Sequence, residues 1–309
     1  MRAYLILLAG IVCAGIGGEL FVRGAVGLAR WARISTGIIG ATVAAFATSS
    51  PELSVGVLSA LAGTPQISLG DALGSNVLNI GLVLGLTLLL GSMRPARIDL
   101  RRDLPTALLV PVFLGLLALD GILSRLDGLL LLLVFLAWMV VVIIEVRRQR
   151  SDIGEILGEV RGWRTIATCL MGLVLLIAAG RFIVTGAEVI AIAWGLDTFV
   201  IGAVVVAIGT SVPELATSLI ARVRGHEEVG LGTVLGSNIY NGLFIVAVVA
   251  LLAPITVTWR EISLSLLFSL LTLIAAIPNR EGTINRYQGV LMLLLYVGYV
   301  AAILTFAPR

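Results

Sequence analysis

The sequence predicts an all-α integral membrane protein in which ten transmembrane helices form two inverted repeats of five. Its 309 residues are 59% hydrophobic and only 13% charged, with a mean hydropathy of +1.10, whereas a soluble domain carries about 25% charged residues. Apolar runs of spanning length recur along the whole chain, and one stretch of 44 residues occurs twice. The first observation indicates a membrane protein, and the second indicates internal repetition.

Ten apolar segments are interpreted as membrane spans. They lie at residues 4–27, 36–61, 67–91, 104–119, 128–146, 165–190, 198–221, 229–252, 262–278 and 287–307. A single long polar stretch, residues 147–163, divides them into five and five. We therefore expect a first repeat over residues 1–146, a linker over 147–163, and a second repeat over 164–309.

The repeated stretch covers residues 36–79 and 198–241, which align without a gap at a spacing of 162 residues. Of the 44 aligned positions, 19 are identical, and shared hydrophobicity alone would give fewer than half that number. Each half contains an odd number of spans, so the second copy enters the membrane from the opposite side. This is the inverted-repeat organisation of secondary transporters.

The basic residues predict the orientation of these spans. All 21 are arginine; four lie on the N-terminal side of the membrane and fifteen on the other side. By the positive-inside rule, both termini face outward across a plasma or inner membrane, and the 147–163 linker is cytoplasmic. The pI near 9.2 therefore reflects topology, and we expect the partner to be the lipid bilayer and not a nucleic acid.

Two similar hexamers place a proline and a glutamate inside these spans: ATSSPE at residues 47–52 and GTSVPE at 209–214. Glu52 and Glu214 fall near mid-span, where a charge costs at least ~2.5–3.5 kcal/mol. Pro51 and Pro213 each remove a backbone donor and release the carbonyl four residues earlier, that of Ala47 or Gly209. A bound cation is one partner for such carbonyls.

A second motif follows in the next span of each copy: GDALGSNVLN at residues 70–79 and GTVLGSNIYN at 232–241. Its serine and asparagine are four residues apart, so each pair shares one face of a helix. The candidate ligand side chains are thus Glu52, Glu214, Thr48, Ser49, Thr210, Ser211, Ser75, Ser237, Asn79 and Asn241. All offer hard oxygen donors, which suit Ca²⁺ and Na⁺ and argue against Zn²⁺ or copper. No cofactor is expected.

The paired TSxPE and GSNxxN motifs resemble the sodium/calcium exchangers of the cation/calcium exchanger superfamily, and the resemblance extends over the ten-span plan. It implies an antiporter that exchanges Ca²⁺ for Na⁺ by alternating access. It also implies that Glu52 and Glu214 are ligands shared by calcium and sodium. Thr48 and Thr210 correspond to calcium ligands, partly through backbone oxygen. The flanking sodium sites correspond to Ala45, Ser49, Ser75, Ala207, Ser211 and Ser237, and the middle of the site to Asn79 and Asn241.

Two positions depart from the expected pattern. Ala47 stands where the second copy has Gly209, and Asn241 stands where many relatives carry aspartate. Asn241 keeps a carbonyl acceptor but cannot ionise, so we expect transport that is independent of K⁺. Asp71 has Thr233 as its counterpart and therefore breaks the symmetry; it either lines an outer vestibule or is simply hydrogen-bonded.

Other functions remain open at this point. A Ca²⁺/H⁺ exchanger is the nearest alternative, because Glu52 and Glu214 could carry protons. A cation channel is more remote, because inverted duplication is typical of transporters. An enzyme is not expected, since the sequence lacks an HExxH motif and its single histidine lies in a loop. We expect the protein to function as a monomer.

Overall fold

The structure is a computed structural model that describes residues 2–32, 34–63, 65–97, 99–152, 162–193 and 207–306. The middle of the predicted 147–163 linker lies outside these ranges. So do residues 198–206, with which the predicted seventh span and the second repeated stretch begin. Everything below refers to the described residues.

The helical segments are numbered here in chain order. They are α1 (Arg2–Ala32), α2 (Thr36–Thr48), α3 (Ser50–Leu61), α4 (Pro65–Leu89), α5 (Asp99–Asp120), α6 (Arg125–Asp152), α7 (Gly162–Ala193), α8 (Ala207–Thr210), α9 (Val212–Val223), α10 (Glu227–Leu252), α11 (Trp259–Ala275) and α12 (Arg286–Phe306). Two short strands, β1 (Ile122–Leu123) and β2 (Ile255–Thr256), pair antiparallel.

The helices match the predicted membrane architecture. Six of them, α1, α4, α5, α6, α10 and α12, are long and apolar enough to cross a membrane, and the bent pair α2–α3 provides a seventh. Shorter apolar helices cover Trp163–Ala179 and Ile262–Ala275, and α8 and α9 lie within the predicted seventh span. The all-α membrane class predicted from composition is confirmed.

The fourth and fifth spans are longer than predicted. Helix α5 begins at Asp99, not near residue 104, and a buried ion pair stabilises this early start. Arg102 donates to both carboxylate oxygens of Asp103 at 2.7 Å, and Trp138 Nε1 donates to the same carboxylate at 3.1 Å. Buried charges are tolerated when they are paired and hydrogen-bonded, so these residues can stand in a helical turn before the apolar run. Helix α6 likewise continues to Asp152, into the predicted linker.

Helices α4 and α10 form the centre of the molecule. In each, 83% of the spanning window is buried, against 22% for α6 and α12. Glycines allow α10 to approach α2 closely: a Cβ on Gly232 would lie 2.6 Å from the Gly37 carbonyl oxygen. Small residues at such crossings are typical of membrane helices, which gain stability mainly from close packing.

Helices α1 and α7, which are equivalent in the two repeats, pack against each other through further glycines. A Cβ on Gly24 would meet the Cys169 backbone at 2.6 Å, and one on Gly172 would meet Phe21. The pair also packs against α9, because a Cβ on Gly18 would lie 3.3 Å from the Ala216 side chain. Arg224, the residue after α9, donates to Glu19 at 2.9 Å, and Glu19 pairs with Arg23 at 2.5 Å. The two repeats therefore interlock and do not form separate domains.

Loop contacts place the helix ends at two opposite faces of the protein. On one, which we call the Gln66 face, β1 pairs with β2, and Gln66 Nε2 donates to Thr256 Oγ1 at 2.6 Å. On the other, the Ser92 face, Met93 pairs with Ile284, and Arg222 donates to the Ser92 carbonyl at 2.8 Å. These groupings are those that the predicted order of ten spans requires.

Candidate cation-binding site

Both TSxPE motifs break their span at the same residue. Ser49 separates α2 from α3 with φ −85° and ψ 11°, and Ser211 separates α8 from α9 with φ −89° and ψ 7°. Pro51 and Pro213 consequently stand in the first turn of a new helix, where the missing N–H has no intrahelical partner to lose. The first break bends the span by 43°, and both breaks are fully buried.

The carbonyls released by the two prolines differ in their surroundings. In the first repeat, Ser50 Oγ donates to the Ala47 carbonyl at 2.7 Å. Val212 occupies the equivalent position in the second repeat, so no hydroxyl can serve the Gly209 carbonyl in this way. The Ala47 carbonyl thus has a partner within the protein, the Ser50 hydroxyl, whereas the Gly209 carbonyl cannot have the equivalent one.

The two glutamates lie fully inside the protein. Glu52 is 1% exposed and Glu214 is 0% exposed, and they are close enough for their charges to repel. The hydroxyls of Ser49 and Ser237 lie 3.1 Å from Oε1 of Glu214 and 3.0 Å from each other. Neither oxygen of Glu52 has a hydrogen-bond partner among the described residues, and Oε2 of Glu214 also lacks one.

The predicted hydroxyl and backbone donors meet across the two repeats. Ser211 Oγ donates to Ser75 Oγ at 3.3 Å, which mirrors the Ser49–Ser237 contact. The Thr48 and Thr210 side chains donate to the carbonyls of Ala45 and Ala207 at 3.4 Å and 3.2 Å. Each threonine also lies beside the glutamate of the other repeat: Thr210 beside Glu52, and Thr48 beside Glu214.

The amides occupy the same buried centre but are held differently. Asn79 Nδ2 donates to Asn238 Oδ1 at 3.2 Å. Asn241 is fully buried, and neither of its side-chain polar atoms has a hydrogen-bond partner in the described part of the chain. Both asparagines lie in π-helical turns, Asn79–Leu84 and Tyr240–Ile245. Such wide turns are common at functional sites.

Sequence reasoning missed one pair of central residues, Asn76 and Asn238. Asn76 Nδ2 donates to the Asn238 carbonyl at 3.2 Å, and Asn238 Nδ2 donates to the Asn76 carbonyl at 3.0 Å. The two residues are equivalent in the repeats, so this reciprocal contact joins α4 to α10 across the pseudo-twofold axis. The signal was present in the sequence, because the asparagine of GSN recurs in both copies.

All twelve predicted site residues lie buried around the two helix breaks. Carboxylate, hydroxyl, amide and carbonyl oxygens dominate the set, and the described residues contain no cluster of three His, Cys, Asp or Glu side chains placed to hold a metal ion. Such a set can bind hard cations that accept hydroxyl and carbonyl ligands, and it offers nothing that favours soft transition metals.

Comparison with known proteins decides the family. Residues 2–144 and 164–305 match the profile of the family described as sodium/calcium exchanger protein. The chain belongs to this family. It is therefore a multi-pass membrane antiporter and not an enzyme.

Individual relatives match over nearly their whole length. Sodium/calcium exchanger MaX1 of Methanosarcina acetivorans is 27% identical, covering 97% of this chain and 98% of the relative. Inner membrane protein YrbG of Escherichia coli is 32% identical, covering 100% and 98%. A solved structure of the sodium-calcium exchanger NCX_Mj superposes with a TM-score of 0.81 at 32% identity, covering 99% of this chain and 98% of that one. The inverted-repeat helical fold is thus confirmed.

Proposed function

We propose that this exchanger moves Ca²⁺ in one direction and Na⁺ in the other, with Glu52 and Glu214 as ligands shared by both ions. The observation that carries this proposal is the buried carboxylate of Glu52, which has no hydrogen-bond partner among the described residues. A charged group in this state is strongly unfavourable unless an ion of opposite charge or a proton joins it. Glu214 adds one unpartnered oxygen next to it.

The donor inventory supports a calcium site. Ca²⁺ takes about 6–8 oxygen ligands in flexible geometry, and the carboxylates, hydroxyls and carbonyls at the two breaks can supply that number. We assign Thr48 and Thr210 to calcium together with the glutamates. The flanking sodium positions are assigned to Ala45, Ser49, Ser75, Ala207, Ser211 and Ser237, with Asn79 and Asn241 in the middle.

A direct flux measurement tests the proposal. Calcium uptake into inverted membrane vesicles should require an outward sodium gradient, and it should stop when the gradient is collapsed. Uptake driven by a proton gradient in the absence of sodium would instead favour Ca²⁺/H⁺ exchange. That second candidate is kept because the unpartnered Glu52 carboxylate could accept a proton. Calcium flux that needs neither gradient and is not saturable would indicate a channel.

Charge balance makes the proposed exchange electrogenic. Two carboxylates are neutralised by one Ca²⁺, whereas three Na⁺ would leave the site with one net positive charge. With three sodium ions per calcium ion, each cycle moves one charge across the membrane, worth ~2.3 kcal/mol per 100 mV. Calcium flux in proteoliposomes should therefore respond to a clamped membrane potential.

Independence from K⁺ is proposed from Asn241. This amide is buried and unpartnered, and it cannot supply the extra negative charge that an aspartate would bring for a further monovalent ion. Replacing K⁺ by an inert organic cation should leave sodium-dependent calcium flux unchanged. A requirement for K⁺ would show that Asn241 does not have this role.

We further propose that both termini face outward and that residues 147–163 connect the repeats 1–146 and 164–309 in the cytoplasm. The protein would act as a monomer in the cell membrane. A cysteine introduced into the linker should react with an impermeant thiol reagent only from the cytoplasmic side. One added after Phe306 should react only from outside, and labelling of both from one side would contradict the orientation.

A further inference from the structure

Asp71 is a carboxylate that the proposed ligand set does not include. It lies on α4, one turn from Ser75 in the direction of the Gln66 face. Its Oδ1 lies 3.4 Å from the Thr210 hydroxyl, and its charge interacts with those of both Glu52 and Glu214. The side chain is only partly buried, unlike those of Glu52 and Glu214.

The other repeat has no charge at the equivalent position. Thr233 lies one turn from Ser237 toward the Ser92 face, is fully buried, and donates to the Val229 carbonyl of its own helix at 2.7 Å. Its hydroxyl is thus satisfied locally. The two approaches to the site therefore differ in charge at equivalent places, although the site itself is assembled from repeated motifs.

A second observation at the same place indicates a ligand. Thr210 lies beside both Asp71 and Glu52, but a hydroxyl has a single hydrogen to donate, and Thr210 also contacts the Ala207 carbonyl at 3.2 Å. One hydroxyl cannot satisfy two carboxylates. Glu52, 1% exposed, remains without a partner in the described part of the chain, so Asp71 and Glu52 together have too few hydrogen-bond donors.

We propose that Asp71, Thr210 and Glu52 form an entry site for Ca²⁺ on the Gln66 face, and that the equivalent place toward the Ser92 face, occupied by Thr233, does not bind Ca²⁺ in this way. The inference rests on the proposed calcium exchange and adds a difference between its two directions. A cation arriving from the Gln66 face meets Asp71 before it reaches Glu214. A divalent ion gains twice the Coulomb energy of a monovalent ion from that carboxylate at equal distance, so the entry site favours Ca²⁺ over Na⁺.

Exchanging the two equivalent residues provides the test. Asp71→Thr gives the first repeat the residue that the second carries, and Thr233→Asp does the reverse. Half-saturating Ca²⁺ is measured for sodium-dependent flux of the full chain in right-side-out and inside-out vesicles, which present opposite faces. Asp71→Thr should raise half-saturating Ca²⁺ about tenfold, equivalent to roughly 1.4 kcal/mol, in one vesicle type and less than twofold in the other. Thr233→Asp should lower it in the opposite vesicle type.

Two further variants test whether the effect is specific to the carboxylate of Asp71. Asp71→Glu keeps the charge and should restore most of the calcium affinity lost in Asp71→Thr. Asp120→Asn removes an exposed carboxylate beside β1 on the same face and should change half-saturating Ca²⁺ by less than twofold. A comparable change in Asp120→Asn would mean that only general surface charge is at work, and would overturn the entry site.

The possible failures are distinguishable. If the wild-type chain moves no calcium with a sodium or proton gradient, the proposed exchange fails and the entry site fails with it. If wild-type flux is normal and Asp71→Thr leaves half-saturating Ca²⁺ unchanged on both faces, the entry site alone is wrong. An equal rise on both faces also overturns it, because Asp71 would then belong to the central site. The proposed orientation places the one-sided effect in right-side-out vesicles, and its appearance in inside-out vesicles would overturn only the orientation.

Discussion

Glu52 and Glu214 have the same neighbours in sequence but are held differently in the structure. Glu214 has two serine hydroxyls within 3.1 Å of one carboxylate oxygen. Glu52 has the equivalent serines nearby, but Ser211 donates to Ser75 and neither contacts Glu52. The repeat thus specifies which groups are present, and the folded arrangement determines which half of the site is already hydrogen-bonded.

The amides and the released carbonyls also differ between the two copies. Asn79 is anchored by Asn238, whereas Asn241 has no partner among the described residues. Ser50 satisfies the Ala47 carbonyl, and Val212 cannot do so for Gly209. We infer that the protein holds Glu214 by hydrogen bonds in the absence of an ion, whereas Glu52 depends on a bound ion or proton.

The largest expected effect concerns both glutamates. Glu52→Gln and Glu214→Gln each remove one of the two negative charges from a calcium ion in a buried site. A pair of unit charges at 4 Å is worth about 4 kcal/mol at an effective dielectric constant of 20, and a divalent ion doubles this energy. Sodium-dependent calcium flux should therefore fall roughly a thousandfold or more in either variant. Detergent-extracted protein should still elute as a single species in size-exclusion chromatography. Flux close to the wild-type level from either variant would contradict the assignment of the site.

The thermal stability of the ion-free protein should differ between Glu52→Gln and Glu214→Gln. Hydrogen bonds to charged groups contribute about 1.5–3 kcal/mol, so Glu214→Gln should lower the thermal midpoint in the presence of a chelator. Glu52→Gln removes an unpartnered buried charge and should leave the midpoint unchanged or raise it by a few degrees. Added Ca²⁺ should stabilise the wild type, by about 2.7 kcal/mol at a hundred times the dissociation constant, and neither variant. Equal thermal midpoints of the two ion-free variants would contradict the proposed difference in hydrogen bonding between Glu52 and Glu214.

Much of this architecture could be predicted from sequence because it depends on local chemistry. Hydropathy predicted most of the spans that the structure describes, and the paired motifs predicted a set of candidate ligands that lie buried around the two helix breaks. The i,i+4 spacing predicted the shared face of Ser75 and Asn79. The start of α5 at Asp99 was missed, because the Arg102–Asp103 pair is completed by Trp138, 35 residues along the chain. Local hydropathy contains no information about such a partner.

The difference between Glu52 and Glu214 could not be predicted for a related reason. Both copies contain the same serines, and each hydroxyl can rotate toward a carboxylate or toward another hydroxyl. The partners come from both repeats: Ser49 and Ser237 meet at Glu214, whereas Ser211 donates to Ser75. Only positions where the copies differ, such as Ser50 and Val212, could have indicated it.

A double-mutant cycle measures the serine contacts directly. Ser49→Ala and Glu214→Gln, made singly and together, should show a coupling free energy of about 1 kcal/mol, within the range for residues in contact. The equivalent cycle with Ser211→Ala and Glu52→Gln should give a value near zero. Both are measured from thermal or denaturant unfolding without Ca²⁺ and Na⁺. The second cycle is the matched control for the first, and equal couplings would show that the two halves are hydrogen-bonded alike.

The smallest expected effect concerns the asparagine pair that joins α4 to α10. Asn238→Ala removes the donor to the Asn76 carbonyl and also the acceptor for Asn79, two contacts in all. Asn76→Ala removes only the donor to the Asn238 carbonyl, because the Asn76 Oδ1 atom has no partner in the described part of the chain. With a net contribution of about 0.5–1.5 kcal/mol per hydrogen bond, Asn238→Ala should be the less stable variant by about 1 kcal/mol. It should also weaken sodium-dependent flux more, since it alone releases a proposed ligand, Asn79. Unfolding and flux of the two variants are compared under identical ionic conditions. A greater loss of stability and flux in Asn76→Ala than in Asn238→Ala would contradict this expectation.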